Sequence, residues 1–127
     1  MAFQFNSTII PESQSSHMPP LFDGTDYSYW KTRMMIFIKA IEIALWKMVI
    51  DGYTPIENPV GLVQIAEQEK LENLNAKATY ILYCGLSKTE FNRISNCTTT
   101  KEIWTLLGIT HEGTSQVKKS RIAILMK

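Results

Sequence analysis

Apolar residues recur at helical spacing through most of the chain. Tyr27, Trp30, Met34, Phe37, Ile38 and Ile41 form one wide stripe, which predicts a helix from about Tyr27 to about Ala40. Met35 and Ile36 lie off that stripe. This helix is therefore apolar on more than one face, as expected of a helix central in a bundle or placed in an interface. Leu45, Trp46, Val49 and Ile50 predict a second helix, or a continuation, over 41–50. Asp51-Gly52 ends it, with Gly52 able to take the left-handed position after the last turn. Pro55, Pro59 and Gly61 mark a loop, and a long helix follows from about Leu62 to about Cys84. Leu71, Leu74, Ala78, Ile81 and Leu82 share a face of it, while Glu67, Glu69 and Glu72 read as its solvated side.

Ser87-Lys88-Thr89-Glu90 and Thr99-Thr100-Lys101-Glu102 are capping boxes. The first opens a short helix bearing Phe91 and Ile94, the second a helix with Ile103, Trp104, Leu106 and Leu107. Glu112-Gly113-Thr114 is expected to break the chain before a last helix, capped by Thr114 or Ser115, with Val117, Arg121, Ile124 and Leu125 in register. No stretch alternates apolar and polar residues in the manner of a strand. Residues 1–20 read as irregular because Pro11, Pro19, Pro20 and several serines interrupt any period. Leu21-Phe22 is a candidate apolar anchor, and Asp23-Gly24-Thr25-Asp26 a turn in which Thr25 or Asp26 caps the first helix. The expected fold is an all-α bundle of about six helices over residues 21–127, preceded by the irregular segment 1–20.

Composition permits this. The chain has 127 residues, of which 45% are hydrophobic and 20% charged. That is enough to bury one core without metal or disulfide. Two cysteines allow at most one internal bridge. The first twenty residues lack the basic and apolar regions of a signal peptide. Met34–Ile50 is the most apolar run, but Lys39, Glu42 and Lys47 within it argue against a membrane span. A cytoplasmic protein is expected, with the nucleus open to it as well. The net charge of +1 hides an asymmetry: residues 1–75 hold 5 Lys/Arg against 9 Asp/Glu (−4), and residues 76–127 hold 8 against 3 (+5). The C-terminal part therefore suits something negative, either nucleic acid or the acidic half of a neighbouring copy.

Chemistry for catalysis is not apparent. His17 and His111 are far apart and neither has a second ligand at metal spacing. Cys84, beside Leu82 near a helix end, reads as an inert small hydrophobe. The glycines, Gly108 among them, are isolated punctuation rather than a phosphate loop. Trp30, Trp46 and Trp104 sit on apolar helical faces and suit core packing better than base stacking. We expect no enzyme, no metal and no cofactor. Lys118, Lys119, Arg121 and Lys127, with no acid after Glu112, are candidate contacts for a polyanion; a solvated helix end favourable to the helix dipole is the plainer reading.

Leu21-Phe22-Asp23-Gly24-Thr25-Asp26-Tyr27 with Trp30 resembles the "L-x-G-x-N-Y-x-x-W" opening of plant copia-type LTR-retrotransposon Gag polypeptides. Trp46 followed by Asp51-Gly52-Tyr53, then Asn75-Ala76-Lys77-Ala78 and Cys84-Gly85-Leu86-Ser87, continue the pattern. Phe91–Cys97 resembles the family's middle. Lys101-Glu102-Ile103-Trp104, Thr110–Thr114 and Val117-Lys118-Lys119-Ser120 resemble its "A-x-E-x-W-x-x-L … E-G-T-x-x-V-K" segment. The resemblance covers about residues 20–127. Asp26 stands where the family usually has Asn.

The resemblance implies a lobe like the N-terminal lobe of a retroviral capsid, in a protein that assembles with copies of itself around the element's RNA. It implies Tyr27, Trp30, Trp46 and Trp104 as core and Gly24, Gly52 and Gly113 as turns. The family's second lobe and its C-C-H-C zinc knuckle do not occur within the 127 residues. We therefore expect a truncated Gag, from a decayed element or kept by its host for another task. Its expected partner is itself, most simply as a two-fold homodimer. A host protein segment bound in a groove is the second expectation, and weak RNA binding the third.

Overall fold

The computed structural model describes the backbone of residues 18–125 and the side chains of residues 18–112. Five helices lie among the described residues: α1 (Tyr27–Ile41), α2 (Ile43–Asp51), α3 (Gly61–Cys84), α4 (Lys88–Ile94) and α5 (Thr100–Leu125). They contain no strand, only an isolated parallel bridge between Phe22 and Leu86. The protein is all-α, with five helices rather than about six. The difference lies at Gly113, which is within α5 and not in a turn, so the expected last helix is the second half of α5. A glycine inside a helix costs only about 1 kcal/mol, which does not by itself end one.

The core is built from the stripes the sequence displays. Trp30, Met34 and Ile38 of α1 meet Leu45, Met48 and Val49 of α2, Leu74, Ala78, Ile81 and Leu82 of α3, Ile94 of α4, and Ile103 and Leu107 of α5. Between α1 and α2 the chain breaks at one residue. Glu42 is extended (φ −167°, ψ 128°); its N–H closes α1 on the Ile38 carbonyl, and its own carbonyl accepts from Leu45 N–H. An unbroken helix over this stretch would run about 37 Å at 1.5 Å per residue. The break instead turns the apolar stripe back over the core. Lys39 lies 5.6 Å from the Trp46 ring centroid and bridges the joint.

Asp26 precedes α1 in the left-handed region (φ 54°, ψ 54°) and makes no side-chain cap. Asp and Asn tolerate that conformation better than other non-glycine residues. The turn is held one step earlier, where the Asp23 carboxylate accepts from Thr25 N–H (3.0 Å) and Thr25 Oγ1 (2.6 Å). Those two bonds keep the Asp23 carboxyl below its usual range. Gly52 does take a positive φ of 92°, and a Cβ there would stand 3.1 Å from Lys101 Cδ.

Both capping boxes are half used. Ser87 Oγ accepts from Glu90 N–H at 3.4 Å, but the Glu90 side chain turns inward. Thr99 Oγ1 accepts from Glu102 N–H, and the Glu102 carboxylate reaches back one residue further, to Thr98. Thr100 is fully buried and donates to the Met48 carbonyl at 3.3 Å, which ties the start of α5 to the end of α2.

The segment before α1 is part of the fold. Phe22 is wholly buried, its N–H bonds Gly85 O at 2.8 Å, and its carbonyl accepts from Ser87 N–H at 3.0 Å. Gly85 has an ordinary φ of −91°, so close approach sets its identity. A Cβ there would collide with Met34 Cε and stand 3.0 Å from the Pro20 carbonyl. Leu21, the other half of the expected anchor, is exposed. Cys84, read from sequence as a small hydrophobe near a helix end, is exposed on the last turn of α3.

Trp30 is 2% exposed, whereas Trp46 and Trp104 are half-buried and pack against the core from outside. Trp30→Ala is expected to lower stability by about 3–5 kcal/mol, and Trp104→Ala by clearly less, in urea unfolding followed by circular dichroism. Equal losses would contradict this ranking.

Candidate functional site

A cleft of about 460 Å³ opens between α1 and α5. Helical spacing builds it. Tyr27 and Lys31 are one turn apart on α1, and Trp104, Gly108 and Glu112 follow one another by turns on α5. Ile109 completes the apolar wall and is exposed. Lys31 Nζ meets Glu112 Oε1 at 2.6 Å across the rim, and the same ammonium lies 5.9 Å from the Tyr27 ring centroid. With Lys31 and Glu112 neutralising each other, the cleft carries no free charge. Gly108, read from sequence as punctuation, lies inside α5.

The Tyr27 hydroxyl is buried without a hydrogen-bond partner. It points at Gly108: a Cβ on that glycine would stand 3.7 Å from the Tyr27 oxygen and 3.7 Å from Glu112 Oε2. Burial, reinforced by the nearby Glu112 charge, pushes the Tyr27 pKa up to about 12. The phenol is therefore a fixed O–H donor at ordinary pH.

Behind the cleft, His111 Nε2 lies 2.8 Å from Oε1 of the buried Glu90, whose Oε2 lies 3.5 Å from Arg93 Nη1. The pair joins α5 to α4. The same imidazole stacks on Tyr27 (5.5 Å) and meets Phe22 edge-on (4.8 Å). Phe22 stacks on Trp30 at 5.1 Å, Trp30 lies 5.7 Å from Trp104, and Trp104 meets Trp46 at 5.3 Å. His111, Tyr27, Phe22, Trp30, Trp104 and Trp46 thus form one aromatic row, of which Tyr27 and Trp104 line the cleft.

Sequence reasoning found Tyr27, Trp30, Trp46 and Trp104 but missed His111 and Glu90. Their pairing spans 21 residues, and no local pattern announces it. Lys118, Lys119 and Arg121 fall on the part of α5 whose side chains lie outside the described residues, and Lys127 lies outside them entirely. Cys97 has its thiol pKa raised, first by burial and then by the Glu102 charge, which disfavours the nucleophilic thiolate. Among the described residues no group of His, Cys, Asp and Glu could hold a metal ion, and no helix is long and apolar enough to cross a membrane.

No protein family, curated protein or solved structure matches the chain.

The raised Tyr27 pKa has a defined sign in pH titration. A phenol that holds its proton more tightly when folded gives stability that is complete below pH 10 and lost as pH rises towards 12. Denaturant unfolding between those pH values should show the wild type losing more stability than Tyr27→Phe. Parallel curves would place the hydroxyl in solvent.

Proposed function

We propose that this chain is a non-enzymatic, capsid-type structural protein that associates with itself, as Gag polypeptides do in retrotransposon particles. Two things support the reading. The first is the ordered set of Gag-like motifs, of which the aromatic residues Phe22, Tyr27, Trp30, Trp46 and Trp104 pack in one row. The second, which carries the association itself, is an apolar helix end outside the core.

That end is the start of α3. Every residue from 60 to 67 is exposed, and the run includes Val60 (76% exposed), Leu62 (85%), Val63 (83%) and Ile65 (43%). Short helical stretches in water are marginal without a packed face, and Val and Ile are not strong helix formers. Large apolar side chains gathered at one exposed helix end suit an interaction site. Ile36, Ile43 and Ile50 of α1 and α2 add further exposed apolar area. A second copy offers the same residues, and a two-fold dimer is the simplest closed arrangement. A cytoplasmic setting accords with this reading.

Sedimentation at about 0.05 M and 0.5 M salt spans the range over which screening becomes strong. Association through apolar burial should persist at both levels; an assembly held by the −4 and +5 halves of the chain should weaken at the higher one. Leu62→Asp with Val63→Asp should yield a folded monomer, because acids in the first turn of a helix favour it. A monomeric wild type at high protein concentration in both salts would overturn the reading.

A further inference from the structure

We infer that the outer face of α3 is a dimer seam, along which a second copy of this chain lays its own α3 in the same direction. The inference rests on the self-association proposed above and names the surface and the orientation of the partner copy. Three observations carry it.

The first is a pattern. Leu62, Ala66, Glu69, Asn73, Ala76 and Tyr80 follow one another by four, three, four, three and four residues, and all six are exposed. That spacing is the seam of a two-stranded coiled coil. At 1.5 Å per residue the seam runs for about 27 Å along the helix. It starts within the exposed apolar end formed by Val60, Leu62, Val63 and Ile65 and continues it down α3.

The second is where the stripe lies. With 3.6 residues per turn, Leu74, Ala78, Ile81 and Leu82, which α3 gives to the core, fall on the opposite side of the helix from the seam. The body of each copy therefore lies away from the contact.

The third is charge. Residues that flank such a seam pair between the two chains and set the orientation of the helices. With the helices parallel, Glu72 faces the second copy's Lys77, and Glu69, on the seam itself, lies beside the second copy's Lys70. Both contacts occur twice by symmetry. Reversing one helix would set Lys70 and Lys77 against their own counterparts and Glu72 against Glu72. Asn73 acts in the same sense, because a single asparagine on the seam fixes register at some cost in stability. Only Leu62 and Tyr80 are large and apolar on the seam. The charges therefore choose the orientation, the apolar end of α3 supplies the affinity, and the contact belongs to the smaller, transient class of interfaces.

The test uses Cys84, which is exposed at the end of α3. A nitroxide is attached there in a Cys97→Ser background, and the distance between the two labels of the dimer is read by pulsed electron paramagnetic resonance. Parallel helices about 8–10 Å apart should hold the labels within about 25 Å of each other. Helices reversed about the middle of the seam would separate them by about 39 Å along the axis. Ala76→Glu, an exposed change to a good helix former, should weaken association about tenfold in sedimentation, although it lies fourteen residues beyond Leu62. Glu72→Lys should weaken it about fivefold, and adding Lys77→Glu should restore it. That rescue has to act between chains, because residues five apart do not face each other on one helix. Circular dichroism checks that each variant is folded.

The outcomes separate this inference from the reading it rests on. A wild type that stays monomeric overturns both. If Leu62→Asp with Val63→Asp abolishes the dimer but Ala76→Glu leaves it intact, or if the labels lie about 39 Å apart or further, the seam fails and self-association stands. A monomer that loses stability to urea on Ala76→Glu would mean that a segment of the same chain covers this face, which overturns the inference as well.

Discussion

The burial of Phe22 is the contact on which the rest of this structure depends. Its ring fills the space between Trp30, Tyr27 and His111, and both of its backbone polar groups are bonded to the turn that links α3 to α4. One residue thereby holds the start of α1, the end of α3 and the middle of α5 together. Gly85 lies under this turn, where a Cβ would push against Met34 Cε and stand 3.0 Å from the Pro20 carbonyl. A phenylalanine of this kind brings more than its buried area, because its neighbours are aromatic and meet it in stacked and edge-on geometries.

This arrangement explains what is left over. The inward faces of α1, α2 and α5 and the second half of α3 are consumed by the core. The polar pairs His111–Glu90 and Thr100–Met48 tie the helices at points where apolar packing alone would not fix their register. The start of α3 lies beyond that core, and Gln68 marks the boundary: it clasps the preceding loop through Ile56 N–H (2.6 Å) and the Tyr53 hydroxyl (2.8 Å). Before Gln68 the helix is exposed along residues 60 to 67, outside the packed core. The cleft is a different kind of residue of the folding problem, an interior donor that the chain itself does not satisfy.

The sequence was legible where stability is local and periodic. Trp30, Met34 and Ile38, or Leu74, Ala78, Ile81 and Leu82, repeat at helical spacing because one face must be buried, and that spacing alone predicts them. The break at Glu42 was only half visible, since neither glycine nor proline marks it. The unbroken α5 departs from the expectation because Gly113 looks like a stop, while one glycine inside a helix costs only about 1 kcal/mol. Glu90 was read as a cap because its spacing from Ser87 is right; its pairing with His111 is set by tertiary structure, to which a local pattern is blind. The cleft shared this fate, for Gly108 gains meaning only when Tyr27 is seen beneath it.

Because the account makes the Phe22 strap the hub of one cooperative unit, native-state hydrogen exchange tests it most directly. The amides of Phe22 and Ser87, which bond across the strap, should exchange only through global unfolding, at the same free energy as Ile81 and Leu82 in the core. If the strap amides instead exchange as fast as those of an exposed loop, the segment before α1 is an appendage. The aromatic row would then be a consequence of the fold and not its cause.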